Sequence, residues 1–215
     1  MPKRTIPELA DFLAEATGLS DSNLRSISRR LREAGMLSQY GHGRGAAAAT
    51  AKDAATLLMV ASTEVPPLHA ALTGQALWAC KPFVTCETEE DVAELIKEAR
   101  DLLVDGEPAK NPVLLAESLI ERRVRVREIN ILLAVGAHVS FYGTWGSADV
   151  PYSLQQGSIG SLGYELPEEA SAYRAFNEKL GGRAGLKRQH IIDGRILFDI
   201  HDWLGLSDAA ETSAA

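Results

Sequence analysis

Apolar residues recur at helical spacing from the start of the chain. Ile6, Leu9, Ala10, Phe12, Leu13 and Ala16 form one stripe, with Glu8, Asp11 and Glu15 facing away. The pattern predicts a helix from Ile6 to Ala16, capped by Thr5 and carrying Pro7 in its first turn, where a missing N–H costs nothing. Thr17-Gly18-Leu19-Ser20 interrupts it. Gly18 supplies the permissive backbone of a tight turn, and Ser20 or Asp21 can cap the next helix. This second helix is expected from Asp21 to Ala34, terminated by Gly35. On a wheel, Leu24, Ile27, Leu31 and Ala34 share one arc and must face a core, whereas Ser22, Arg25, Ser26, Arg29 and Glu33 lie opposite. Arg30 and Arg32 flank that polar face on either side. The Gly/Arg segment Gly41-His42-Gly43-Arg44-Gly45 and an alanine run come next. Thr50 then caps a third helix, Ala51–Ala61, that is apolar almost all round.

Val65-Pro66-Pro67 reads as a linker or an abrupt change of direction. Beyond it the pattern predicts helices over 68–79, 89–104 and 112–123. The period then changes. Val124–Val135 is rich in Val, Ile and Leu, and His138–Tyr142 is short and β-like. Residues 143–166 carry five glycines and read as a long loop with one short strand at most. A helix over 168–180, a strand over 186–192, and a last helix or returning strand over 195–204 complete the chain before a small, polar tail. The expected class is α+β: an N-terminal winged helix-turn-helix head, residues 1–63, followed by a mixed α/β domain, residues 68–206.

Charge sharpens this division. The whole chain carries −7, but residues 1–63 hold eight Lys/Arg against six acids, and residues 22–46 hold five arginines against Glu33 alone. A local basic face on an acidic protein suits a duplex-binding head, because phosphate attraction acts over a screening length of only about 8–10 Å. No apolar run approaches the roughly 20 residues needed to span a bilayer, and the start MPKRTIPEL lacks a secretory signal, so the expectation is a cytoplasmic protein with no membrane partner. Cys80 and Cys86 lack the companions of a metal site and are read as reduced thiols.

The second helix carries the candidate chemistry. Short polar and arginine side chains on its outer face can reach base edges in a major groove, with Arg suited to guanine O6 and N7. Ser22, Arg25, Ser26 and Arg29 are assigned as base readers, with Asn23 in the same DNA-facing set; Arg30 and Arg32 are assigned to phosphates on either wall. His42 and Arg44 in the glycine-rich segment can enter a minor groove or touch the backbone. The competing reading of that segment, a phosphate-cradling nucleotide loop, needs a preceding apolar strand and a Gly-Lys-Ser/Thr ending, which are not there. The five histidines stand outside metal spacings, no nucleophile elbow occurs, and His190 and His201 are read as satisfied surface residues. No catalytic residue, metal site or cofactor is therefore assigned.

The run ELADFLAEATGLSDSNLRSISRRLREAGML resembles the helix-turn-helix of bacterial winged-helix regulators, in the small residue before TGLS, the polar start of the second helix and the LREAGML ending. The Gly/Arg hairpin and the Thr-capped helix at TAKDAATLL are similar to the head of MerR-type and phage excisionase-like domains. The resemblance covers residues 5–62 and implies that the second helix enters the major groove while the hairpin forms a wing on the backbone. The expected function is that of a sequence-specific regulator binding double-stranded DNA as a homodimer, since one head contacts few base pairs. The alternatives are a phage-type packaging, excision or replication factor with the same head, or a protein-interaction adaptor. For the C-terminal region, dimerisation is preferred over a small-molecule effector pocket lined by Tyr142, Trp145 and Tyr152. Trp78, Trp145 and Trp203 are otherwise expected to be core aromatics.

Overall fold

The computed structural model describes residues 4–39, 47–83, 107–124, 126–134, 136–143, 161–176, 179 and 188–206. It is an α+β protein. Helices α1 (Ile6–Thr17), α2 (Asp21–Glu33), α3 (Ala51–Ala61) and α4 (Ala70–Ala79) come first, a single 3-10 turn at Pro67–His69 preceding the last of them. The chain continues through β1 (Lys81–Phe83), α5 (Pro112–Glu121), β2 (Val126–Ala134), β3 (Gly136–Gly143), β4 (Ser161–Glu165), α6 (Ser171–Phe176), β5 (Arg188–Asp193) and α7 (Arg195–Leu204). The five strands make one antiparallel sheet in the order β1-β4-β3-β2-β5.

Helix α3 is the centre of the helical layer, and its composition explains why. Ala51 and every residue from Asp53 to Ala61 are buried, because α1, α2, α4, α5 and α7 all pack around it. A helix without a polar face has no side to give to water. The buried cluster therefore runs on without a break past Val65, itself buried, into Ala76, Leu77 and Leu115–Ile120. The Val65–Pro67 segment acts as a corner that brings α4 back against α2 and α3.

The sheet follows the two-residue period of its strands. Ile129 pairs with Ile192 on one side, Ile131 with Val139 on the other, and Val139 in turn with Tyr164; all five side chains are buried. Ile191, one residue out of phase on the edge strand β5, is 62% exposed. From β5 the chain passes through Gly194 directly into α7, whose Ile196, Leu197 and Ile200 join the helical core.

Several expectations are revised. Ala34 does not reach the core: α2 ends one residue earlier, and Ala34 is an exposed C-cap. Ala16 is likewise exposed, because the stripe of α1 that α2 and α3 cover ends at Leu13. The helix expected over 168–180 is described only as Ser171–Phe176, and the last element is a helix, not a strand. His201 is not a surface residue. It is buried, and its Nδ1 lies 2.7 Å from the Ile120 carbonyl oxygen, tying α7 to α5. Trp78 and Trp203 are half-buried rather than core. The helix over 89–104, Trp145, Tyr152 and Cys86 lie outside the described residues, and the side chain of Tyr142 is not described.

Candidate nucleic-acid interface

Helix α2 is held by its apolar side and shows water its basic side. Leu24, Ile27 and Leu31 are at most 1% exposed, which at roughly 1.5–3 kcal/mol per buried aliphatic side chain fixes the rotation of the helix about its axis. The angle to α1 is set by a three-residue turn in which Gly18 adopts φ 72° and donates its N–H to the Ala14 carbonyl oxygen. At the other end Gly74 of α4 sits directly over Met36 and Leu31, so α4 braces the exit of α2.

On the outer side Ser22, Arg25, Ser26, Arg29 and Arg30 are all exposed, and Asn23 is half-buried. The Ser26 hydroxyl donates to the Ser22 carbonyl oxygen at 2.8 Å, which leaves its lone pairs turned outward as acceptors. Arg25 is engaged twice, by Asp21 on its own helix and by Asp11 across the turn on α1, both at 2.8 Å. The hydrogen bond to Asp21, with the field of Asp11 behind it, holds the Arg25 guanidinium still more firmly charged. Arg29 and Arg30 share Glu33, at 3.0 and 3.1 Å. Partial desolvation pushes the Glu33 carboxyl up, but the hydrogen bonds from the two arginines outweigh it and bring it below the ordinary carboxylate range.

The net positive charge of this face is therefore smaller than the local count of arginines suggests. Asp11 stands fourteen positions from Arg25, and nothing in the local sequence announces the pair. All these arginines are nonetheless between 44% and 66% exposed, and ion pairs of that kind contribute only about 0–1 kcal/mol. A phosphate or a guanine edge can displace such a partner. Arg32 differs from the others. It is half-buried, its Nε is shielded with no hydrogen-bond partner among the described residues, and its carbonyl oxygen accepts from the Gln39 side-chain amide. Arg30 stands further into solvent than Arg32.

His42 and Arg44 lie outside the described residues, but both stems of their segment are described. The stems are joined by a residue that the sequence pattern does not single out. Asp53, 2% exposed, accepts from the Ser38 N–H at 2.8 Å and the Ser38 hydroxyl at 2.9 Å on the entering side. On the leaving side it accepts from the Thr50 N–H at 2.9 Å and the Thr50 hydroxyl at 2.8 Å. Thr50-x-x-Asp53 is a readable capping-box pattern; its second duty toward Ser38 has no sequence signature. A further clasp is the antiparallel bridge Thr5↔Ala48, in which the Ala49 N–H donates to the Arg4 carbonyl oxygen at 2.7 Å. Residues 40–46 thus leave and return at closely joined points beside the N-terminus of α1.

The C-terminal helix reaches the same region. Trp203 stacks on Phe12 of α1 at 5.1 Å, Arg4 lies over the Trp203 ring at 5.0 Å, and Arg123 pairs with Asp202 at 3.1 Å. Among the described residues, no helix is long and apolar enough to cross a membrane. Comparison of the chain with protein-family models, with curated proteins and with solved structures found no match.

Proposed function

We propose that residues 1–63 form a winged helix-turn-helix head and that the protein is a regulator recognising a specific duplex DNA sequence, with α2 in the major groove and residues 41–45 as the wing. The observation that carries this reading is the division of α2: Leu24, Ile27 and Leu31 locked in the core, and Ser22, Arg25, Ser26, Arg29 and Arg30 exposed together on the opposite side. Aligned donor and acceptor groups on a rigid, correctly sized rod are what base-edge reading requires. The clasped stems at Asp53 and at Thr5–Ala48 support the wing, since a hairpin that presses on a phosphate backbone needs a fixed base.

In this reading Arg25 and Arg29 contact bases and Arg30 contacts a phosphate, each exchanging an exposed carboxylate for the nucleic acid. Arg32, half-buried, reaches less far into solvent than Arg30 and so contributes less than the sequence assigned to it. Homodimerisation through the C-terminal region doubles the number of base pairs read and supplies the selectivity that a single head lacks. The test is selection of bound duplexes from a random pool with the full-length protein. Enrichment of one motif, organised as two half-sites, supports the proposal. Failure to enrich any sequence, in a protein that also binds bulk DNA no better than an acidic protein of similar charge, would favour the adaptor alternative.

A further inference from the structure

The carboxylates around α2 are unevenly shared among its arginines. Arg29 and Arg30 divide one, Glu33, whereas Arg25 has two, Asp21 and Asp11. Those two hold different nitrogens. Asp21 Oδ1 accepts from Arg25 Nε at 2.8 Å, and Asp11 Oδ1 pairs with Nη2 at 2.8 Å. Asp21 lies one turn back on α2 itself, so its contact runs along the helix and travels with it. Asp11 belongs to α1, so its contact draws the tip of the side chain across the turn toward the neighbouring helix. Nη2 is also one of the two terminal nitrogens whose paired N–H groups make a bidentate contact to guanine O6 and N7. The tip of Arg25 is thus held by the carboxylate that a base would replace, while Nε can stay on Asp21.

We propose that Asp11 makes an autoinhibitory contact: from α1, outside the DNA-facing helix, it holds Arg25 back and lowers the affinity of the head for its cognate duplex. The proposal rests on the DNA-binding reading. In the free protein Arg25 stays with Asp11, and on the cognate duplex it leaves Asp11 for the guanine. On a non-cognate duplex, where the position under Arg25 offers no such acceptor pair, the contact is kept. Asp11 therefore weighs on cognate binding more than on non-cognate binding. Repulsion between its charge and the phosphates, by contrast, acts on every duplex alike and needs no Arg25.

Asp11→Asn keeps the size of an exposed side chain and removes its charge. Labelled duplexes titrated with the full-length protein should show the variant gaining about two- to fivefold more affinity for the selected motif than for a scrambled duplex. In an Arg25→Ala background the same substitution should change binding of the two duplexes equally. Three results would overturn the restraint: equal gains on both duplexes with Arg25 present, a motif-selective gain that persists without Arg25, or weaker motif binding by Asp11→Asn. The last would mean that Asp11 positions Arg25 for the base instead of withholding it. Any of these in a protein whose wild type prefers the motif refutes the role of Asp11 and leaves the DNA reading standing. A wild type that binds motif and scrambled duplex equally refutes the DNA reading, and the restraint with it.

Discussion

Asp53 shows how much one side chain can organise. Four hydrogen bonds converge on its two oxygens, and their donors, on Ser38 and Thr50, flank the whole of residues 40–46. Asp53→Asn replaces one acceptor oxygen by an N–H that faces other donors. A buried donor left unmatched costs about 1–3 kcal/mol, so thermal unfolding of the variant should begin roughly 5 °C lower; an unchanged Tm would mean that the clasp does not hold the segment. Cys80 makes a contrasting case. Burial first, and the nearby Glu165 carboxylate second, push its thiol up to about 12. In a Cys86→Ser background, disulfide-exchange labelling of the native protein at pH 8 should run on the order of 1,000-fold slower than after unfolding, following the thiolate fraction. At this scale the sequence made the exposed arginines and their helical partners readable and left one partner, Asp11, hidden. Glu33 lies in reach of Arg29 and Arg30 by helical spacing, but Asp11 meets Arg25 only once α1 and α2 are folded together. His201 could not be told apart from His190 in the sequence, because nothing local records that its ring meets the Ile120 carbonyl oxygen.

Elements were legible where a strong period met a clear cap. α1, α2 and α3 begin where Thr5, Ser20 and Thr50 predict, and end within one residue of expectation. β1 went unseen, since three residues, Lys-Pro-Phe, give no period to read and are recruited by pairing with β4. Junctions between elements carry constraints of their own, and two glycines separate soft from hard contacts. A Cβ on Gly194, between β5 and α7, would sit 2.1 Å from the Val126 carbonyl oxygen, and the backbone would have to move. A Cβ on Gly74 would meet the mobile end of Met36 at 2.7 Å. Chemical denaturation should therefore place Gly194→Ala more than about 2 kcal/mol below the wild type and Gly74→Ala within about 1 kcal/mol of it. Equal losses would show that the β5–α7 corner is not the tight junction described.

At the scale of the molecule, the distribution of packing matters more than any single pair. In the sequence the Val65–Pro67 segment and the change of charge mark residues 1–63 off from 68–206. In the fold the central helix α3 takes its cover from both sides of the Val65–Pro67 corner, and α7 returns from the sheet to stack Trp203 on Phe12. Contacts of this kind, between residues far apart in the chain, leave no periodic trace in a sequence. They give the molecule a continuous path from the edge strand β5 through α7 to the helices that present the arginines. The sharpest test of base reading by those arginines is titration of a labelled duplex carrying the selected motif at several salt concentrations, with wild type beside Arg25→Ala/Arg29→Ala. Log K should fall linearly with log salt for both proteins. The double variant, equally stable because only exposed ion pairs are lost, should bind the motif about 10- to 100-fold more weakly and no longer prefer it to a scrambled duplex. Wild-type binding that fails to distinguish motif from scrambled duplex at about 100 mM salt, or a double variant that retains the preference, would show that these arginines do not read bases.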